Sequence, residues 1–221
     1  MTIDEECSKA IEFLLARAVE HSASGKSGPC IVGLAGAAGS GKTTLAERLR
    51  SAMNERRPDL AVVVVPMDGY HLTRKELDAL PDPKLAHEKR GAPWTFNPQQ
   101  LAKDLSTLKV TGQASFPGFD HAAKDPQPDQ YVVTPANKLV LVEGLYMAYA
   151  GWPEVTSLCD GIIFLKCDLA VTTERLTKRH MEAWSISKEE ANARASGSDY
   201  DNSRLVSGEL ADNVGLILSS E

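Results

Sequence analysis

Within a 221-residue chain, Gly36-Ala37-Ala38-Gly39-Ser40-Gly41-Lys42-Thr43 fits the spacing G-x-x-x-x-G-K-[ST], with Thr44 next. Glycines at these places let successive backbone N–H groups converge on an anion, and a helix leaving the loop adds its positive end. A lysine in that position reaches the β- and γ-phosphates of a nucleotide, and the hydroxyl after it holds Mg²⁺. Gly36, Ala37, Gly39, Ser40, Gly41, Lys42, Thr43 and Thr44 are the expected phosphate-binding residues. The plain alternative is a glycine-rich turn between a strand and a helix that binds nothing.

Two carboxylates gain meaning beside that loop. Asp68 follows the apolar run Val63-Val-Val-Pro-Met67, and Glu143 ends Lys138-Leu-Val-Leu-Val142. A carboxylate just past a strand's end, on the rim that carries the phosphates, can take a proton from a substrate hydroxyl or bind the metal. Asp68 also reads as a turn or helix-capping residue, and Glu143 as a solvated strand end. Thr43, Glu143 and Asp68 are the metal candidates. Arg175, Lys178 and Arg179 lie three and four apart on one expected helix, with Arg194 and Arg204 beyond. Such charges ordinarily form a solvated face, but phosphoryl transfer needs cations around the moving group. Arg175 and Arg179 share a helical face, so they lead this group. Trp94, Phe96 and Phe119 could stack on a substrate ring, with packing the ordinary role of any aromatic. His71, His121 and His180 show no metal-ligand spacing to one another.

These residues need a scaffold. Apolar residues at helical spacing over 3–19 predict an opening helix, and 22–29 a loop. Apolar runs at 30–35, 60–66, 138–142 and 161–166 read as buried strands, with shorter ones at 131–134 and 214–218. Helices are expected at 43–53, 73–80, 99–108, 171–184 and 188–195. Short apolar strands alternating with helices predict an α/β fold, a doubly wound and mainly parallel sheet. The Pro-rich stretches 80–98 and 117–134 read as long loops at the pocket rim. The whole is expected to be one domain: an N-terminal helix and loop (1–28), acceptor-side insertions (81–134), and a lid with C-terminal helices (171–205).

Composition narrows the class. With 43% hydrophobic and 24% charged residues the chain matches soluble globular proteins. A net charge of −6 argues against gripping nucleic acid by charge. Four scattered cysteines, Cys7, Cys30, Cys159 and Cys167, form no paired motif, so reduced thiols are expected. The N-terminus shows no signal-peptide pattern, and no apolar run is long enough to span a membrane. A cytoplasmic location and no membrane partner are the expectations.

The order of motifs resembles the uridine kinase, phosphoribulokinase and pantothenate kinase superfamily. Gly36–Thr44, Met67-Asp-Gly-Tyr-His71, Phe116-Pro-Gly-Phe-Asp120-His121 and Val140-Leu-Val-Glu-Gly-Leu-Tyr146 carry the likeness. Arg90-Gly-Ala-Pro-Trp-Thr-Phe96 and Gly197-Ser-Asp199-Tyr-Asp-Asn202-Ser-Arg204 match uridine-kinase-like members of unassigned substrate. The resemblance implies a P-loop kinase fold with ATP and Mg²⁺ as cofactors, and a small-molecule hydroxyl as acceptor. It implies Asp68 as catalytic base, and Lys42 and Arg179 as catalytic cations, Arg179 from a lid helix. Asp68, Tyr70, His71, Phe96, Phe119, Asp120 and Lys124 become the expected acceptor-site residues. The Phe-Asp-His-Pro stretch and Arg-Gly-Arg lid of uridine–cytidine kinases are replaced here by Gly-Ala-Pro-Trp and by Trp184-Ser-Ile-Ser-Lys188. A homodimer is compatible with this reading. A nucleotide-dependent switch or assembly ATPase would use the same loop, but the guanine-reading Asn-Lys-x-Asp is absent: Asn137-Lys138 is followed by Leu139-Val140.

Overall fold

Strand β1 (Cys30–Gly36) is buried along its whole length and lies at the centre of a five-stranded sheet. The computed structural model describes residues 3–120 and 122–220, so His121 lies outside the described residues. Helix α1 (Ile3–Ala23) precedes β1, and α2 (Lys42–Arg56) leads to β2 (Val63–Pro66). Short helices α3 (Arg74–Asp78) and α4 (Pro83–Glu88) precede α5 (Pro98–Thr111) and a hairpin of β3 (Ala114–Asp120) and β4 (Asp125–Val133). Then come β5 (Leu139–Gly144), α6 (Pro153–Thr156) and β6 (Gly161–Cys167), followed by α7 (Leu169–Trp184), α8 (Lys188–Ala195), α9 (Ser198–Gly208) and β7 (Val214–Ser220). The order across the main sheet is β2-β5-β1-β6-β7, and every pairing is parallel. This is the α/β architecture expected.

Side-chain alternation explains why both faces are covered. Leu139 and Leu141 join one apolar cluster with α1 and α2, whereas Val140 and Val142 join another with α5 and the hairpin. A strand with period two delivers its residues to opposite faces, so a continuously apolar strand demands a layer on each side.

Several stretches differ from expectation, and 80–98, expected as a long loop, contains helix α4 and a 3₁₀ turn at Pro93–Thr95. Stretch 117–134, read as a loop with a short strand, is an antiparallel hairpin whose register shifts between Phe116 and Gly118. Proline is tolerated there because each strand of a two-stranded ribbon has a free edge and Pro117 sits at the irregularity. Residues 60–62 are not strand: Asn54 brackets Val62, accepting from its N–H at 2.7 Å and donating to its carbonyl at 3.0 Å, so the ladder starts at Val63. Helix α9 was not read from the sequence because Ser-Asp-Tyr-Asp-Asn-Ser carries weak helix propensity. No described helix is long and apolar enough to cross a membrane.

Candidate active site at the carboxyl ends of the central strands

Strand β1 delivers the chain into the Gly36–Thr44 loop, and α2 carries it away. Gly39 has a φ of +78°, and a Cβ there would lie 2.9 Å from the Thr172 carbonyl oxygen. Only glycine fits both conditions. Gly41 caps α2 without a side-chain hydrogen bond, so the helix presents its first amides unscreened. The Ser40 hydroxyl oxygen is buried without a hydrogen-bond partner, a second polar group in the loop that awaits one. A helix start of this kind is a ready anion site.

Glu143 comes to the loop from the end of β5, level with Leu34 of β1 and Pro66 of β2. The Thr43 hydroxyl donates to Glu143 Oε1 at 3.1 Å. The other oxygen, Oε2, is buried and has no hydrogen-bond partner. Burial pushes the Glu143 carboxyl above its ordinary value of 4.5; the Lys42 ammonium opposes this, Asp68 adds to it, and the Thr43 hydroxyl opposes it. These interactions tie Lys42, Thr43, Asp68 and Glu143 into one electrostatic group. An orphaned buried carboxylate oxygen beside a hydroxyl is an all-oxygen donor set, which suits a hard divalent cation such as Mg²⁺. The residues present therefore fit the metal.

Asp68 lies in the 3₁₀ turn Met67–Tyr70 directly after β2. Its carbonyl receives the His71 backbone N–H at 3.2 Å and lies 2.8 Å from the His71 ring Nδ1. A Cβ on Gly69 would fall 2.1 Å from the Pro117 carbonyl oxygen, so this turn rests backbone-to-backbone on the hairpin. The hairpin brings Phe119 to His71 with ring centroids 4.8 Å apart, and Phe96 lies 3.9 Å from His71 on another side.

The structure separates the expected acceptor residues. His71, Phe96 and Phe119 converge. Tyr70 is buried and donates its hydroxyl to the half-buried Asp104 of α5 at 2.7 Å, so its polar end is taken up by that helix. Phe96 is also buried, edge-on to Tyr146 and Trp152. Asp120 Oδ1 accepts the N–H groups of Ala122 and Ala123, and the exposed Lys124 has a φ of +57°. Among the cations, Arg175 Nη1 reaches the Gly39 carbonyl at 3.5 Å and the Ser220 hydroxyl at 3.3 Å. It braces the loop from behind. Exposed Arg179 sits one turn further along the face of α7 that packs on Gly39 through Thr172 and Leu176. His180 pairs with Asp199 at 3.0 Å, and Trp94 is exposed.

Sequence reasoning missed one residue of this region. Arg90 lies over the Phe119 ring, 5.3 Å from its centroid, and donates to two backbone carbonyls. Its only signal was its place at the head of the Arg90–Phe96 motif.

Comparison with known proteins agrees with this geometry. The Phosphoribulokinase / Uridine kinase family pattern matches residues 31–196. A Schizosaccharomyces pombe protein named "Putative uridine kinase C227.14" is 35% identical over 181 residues, 80% of this chain and 77% of that one. The "ATP-dependent kinase YFH7" of Saccharomyces cerevisiae is 34% identical over 182 residues, 63% of this chain and only 52% of its own length. Among solved structures, a "putative fructose transport system kinase" from Silicibacter sp. TM1040 superposes with a TM-score of 0.83 at 29% identity, covering 98% of both chains. With its phosphate loop, its paired carboxylates and this likeness together, the chain belongs to the phosphoribulokinase / uridine kinase family of P-loop kinases.

Proposed function

We propose that the protein transfers the γ-phosphoryl group of ATP to a hydroxyl of a small metabolite held between Asp68 and the His71–Phe96–Phe119 face. The observation that carries this reading is the partnerless Glu143 Oε2, buried beside the Thr43 hydroxyl at the mouth of the phosphate loop. The amides of residues 39–44 would cradle the phosphates, and Lys42 would bridge the β- and γ-oxygens. Thr43, Glu143 and Asp68 would hold Mg²⁺. When bound, the metal supplies charge neutralisation on the phosphate oxygens.

Asp68 orients the acceptor hydroxyl and takes its proton as the new O–P bond forms. Arg179 supplies positive charge from the α7 side, and residues 171–205 act as the lid that excludes competing water. Residues 81–134 shape the acceptor side. Uridine and fructose, named for two of the relatives, are both polyhydroxylated, which supports a hydroxylated metabolite as acceptor.

The test is a coupled ADP-release screen over nucleosides, sugars and hydroxy acids, with Asp68→Asn as control. We expect acceptor-dependent turnover that falls about 10²- to 10⁴-fold in the variant, the usual span for losing a general base. ADP release that no metabolite stimulates, but a protein partner does, would replace this reading by the nucleotide switch.

A further inference from the structure

Residues 89–92 connect α4 to the 3₁₀ turn Pro93–Thr95, and Arg90 in that connection joins three chain segments. Its Nη2 donates to the Leu72 carbonyl at 2.7 Å, four residues beyond Asp68. Its Nη1 donates to the Lys124 carbonyl in the hairpin turn. Nη2 also pairs with Asp125 Oδ1 at 3.4 Å, and that same oxygen accepts the Arg74 N–H at 2.8 Å. Its guanidinium carbon lies over the Phe119 ring, 5.3 Å from the centroid. The Arg90 side chain is only 15% exposed. The next residue is held as well, because the buried Tyr146 hydroxyl donates to the Gly91 carbonyl at 2.7 Å.

Resting on the functional reading above, we infer that Arg90 is the positioning residue of the acceptor site: it fixes the Phe119 wall and the hairpin turn at a set distance from the Asp68 turn. Asp68 and Phe119 belong to different supersecondary units, one at the end of the main sheet and one on a separate ribbon. The Gly69–Pro117 contact anchors the middle of the ribbon, and ring contacts through His71 are broad in angle, so neither fixes the hairpin turn beyond Phe119. A planar fork aimed at two carbonyls and a carboxylate is narrow in angle, and it locks that turn. Lysine keeps the charge but not the fork, so it cannot serve Leu72 and Lys124 in the same geometry. None of these contacts touches the phosphate loop. The consequence is an asymmetric defect, with acceptor handling damaged and nucleotide handling spared.

The experiment compares wild type, Arg90→Lys and Asp125→Asn in steady-state kinetics with each substrate varied in turn, alongside amide hydrogen exchange. We expect Arg90→Lys to lower kcat/KM for the acceptor about 10- to 100-fold, as for an ångström-scale misplacement of a reacting group. The KM for ATP should stay within about two-fold, and exchange should quicken at residues 72–76 and 122–126. Asp125→Asn, which keeps both carbonyl contacts, should show a milder form of the same split. If ATP and acceptor constants deteriorate together, or exchange at both segments is unchanged, Arg90 has no positioning role. A wild type that turns over no hydroxylated metabolite would instead remove the functional reading, and the inference with it, before any variant is compared.

Discussion

Two carboxylates are shielded from solvent at opposite ends of the same sheet, and their surroundings push them in opposite directions. Asp160 immediately precedes β6, at the amino ends of the strands. Burial raises its carboxyl, but the Ile31 N–H, Lys109, Lys26 and His21 together hold it below its ordinary value of 3.8. Ile31 donates to Oδ2 at 3.0 Å, and His21 Nδ1 lies 3.3 Å from that oxygen. Lys26 and Lys109 lie 3.1 and 3.4 Å from Oδ1. Glu143, at the carboxyl ends, has one oxygen on Thr43 and the other on nothing, and its carboxyl is raised. Two shielded carboxylates thus diverge, one a structural clamp where the chain supplies every partner, the other a candidate binding site where it leaves an oxygen open.

The strongest way to break this contrast is Glu143→Gln. We expect turnover to fall about 10²- to 10³-fold, the usual loss when one electrostatic contact to developing charge is removed. The ligand-free protein should melt at a higher temperature, because an amide at that place carries no charge to desolvate. The sign follows from the raised carboxyl: ionised Glu143 costs folded-state stability, and the cost appears as pH rises through its elevated value. Mg²⁺ must compete with a proton there, so metal affinity should weaken on acidification above pH 4.5 already. Calorimetric melting of the apo protein at pH 7, beside a Mg²⁺ titration of activity, checks both. A lower melting temperature would mean that Glu143 is structural, as Asp160 is.

Asp160→Asn should do the reverse. Leaving His21 and two lysines without their anion costs about 3 kcal/mol, as breaking buried pairs does, a sizeable part of a total of about 5–15 kcal/mol. For a chain of this length that lowers Tm by roughly 6–12 °C. Because its folded value is depressed, the stability that Asp160 supplies is complete above pH 3.8 and disappears as pH falls through the lower folded value. The variant should therefore converge with wild type in acid. At 20 °C its kcat should match wild type. A kcat loss as large as that of Glu143→Gln would mean that the two ends of the sheet are coupled.

The same contrast explains which features are legible in the sequence alone. The phosphate loop was legible because backbone recognition of phosphate imposes glycine at fixed spacing, and Glu143 because it ends an apolar run. Asp160 was not legible. Its partners come from residues 21, 26, 31 and 109, and no local pattern links them. Arg90 was hidden for a related reason: it reads backbone carbonyls 18 and 34 residues away, and a carbonyl leaves no mark on residue type. Aromatic identity misled in the opposite sense. Tyr70 stands in a motif segment, yet the structure buries it and gives its hydroxyl to Asp104, because a ring serves a core or a substrate equally well until its neighbours are known.

The smallest expected effect sharpens the account of Asp160 itself. Lys26 is its most exposed partner, with 57% of its side chain open to solvent, while His21 is 7% exposed. Solvent screens the outer ion pair, and holding a long side chain costs entropy, so such pairs contribute at most about 1 kcal/mol. Lys26→Ala should lower Tm by no more than about 4 °C, and 0.5 M salt should erase most of that difference. The inner contacts are shielded from solvent, and salt should barely alter the cost of Asp160→Asn. Melting the two variants side by side with and without salt separates the layers. If Lys26→Ala proved as damaging as Asp160→Asn, the clamp would be a surface charge network, and burial would no longer explain why this carboxylate and Glu143 differ.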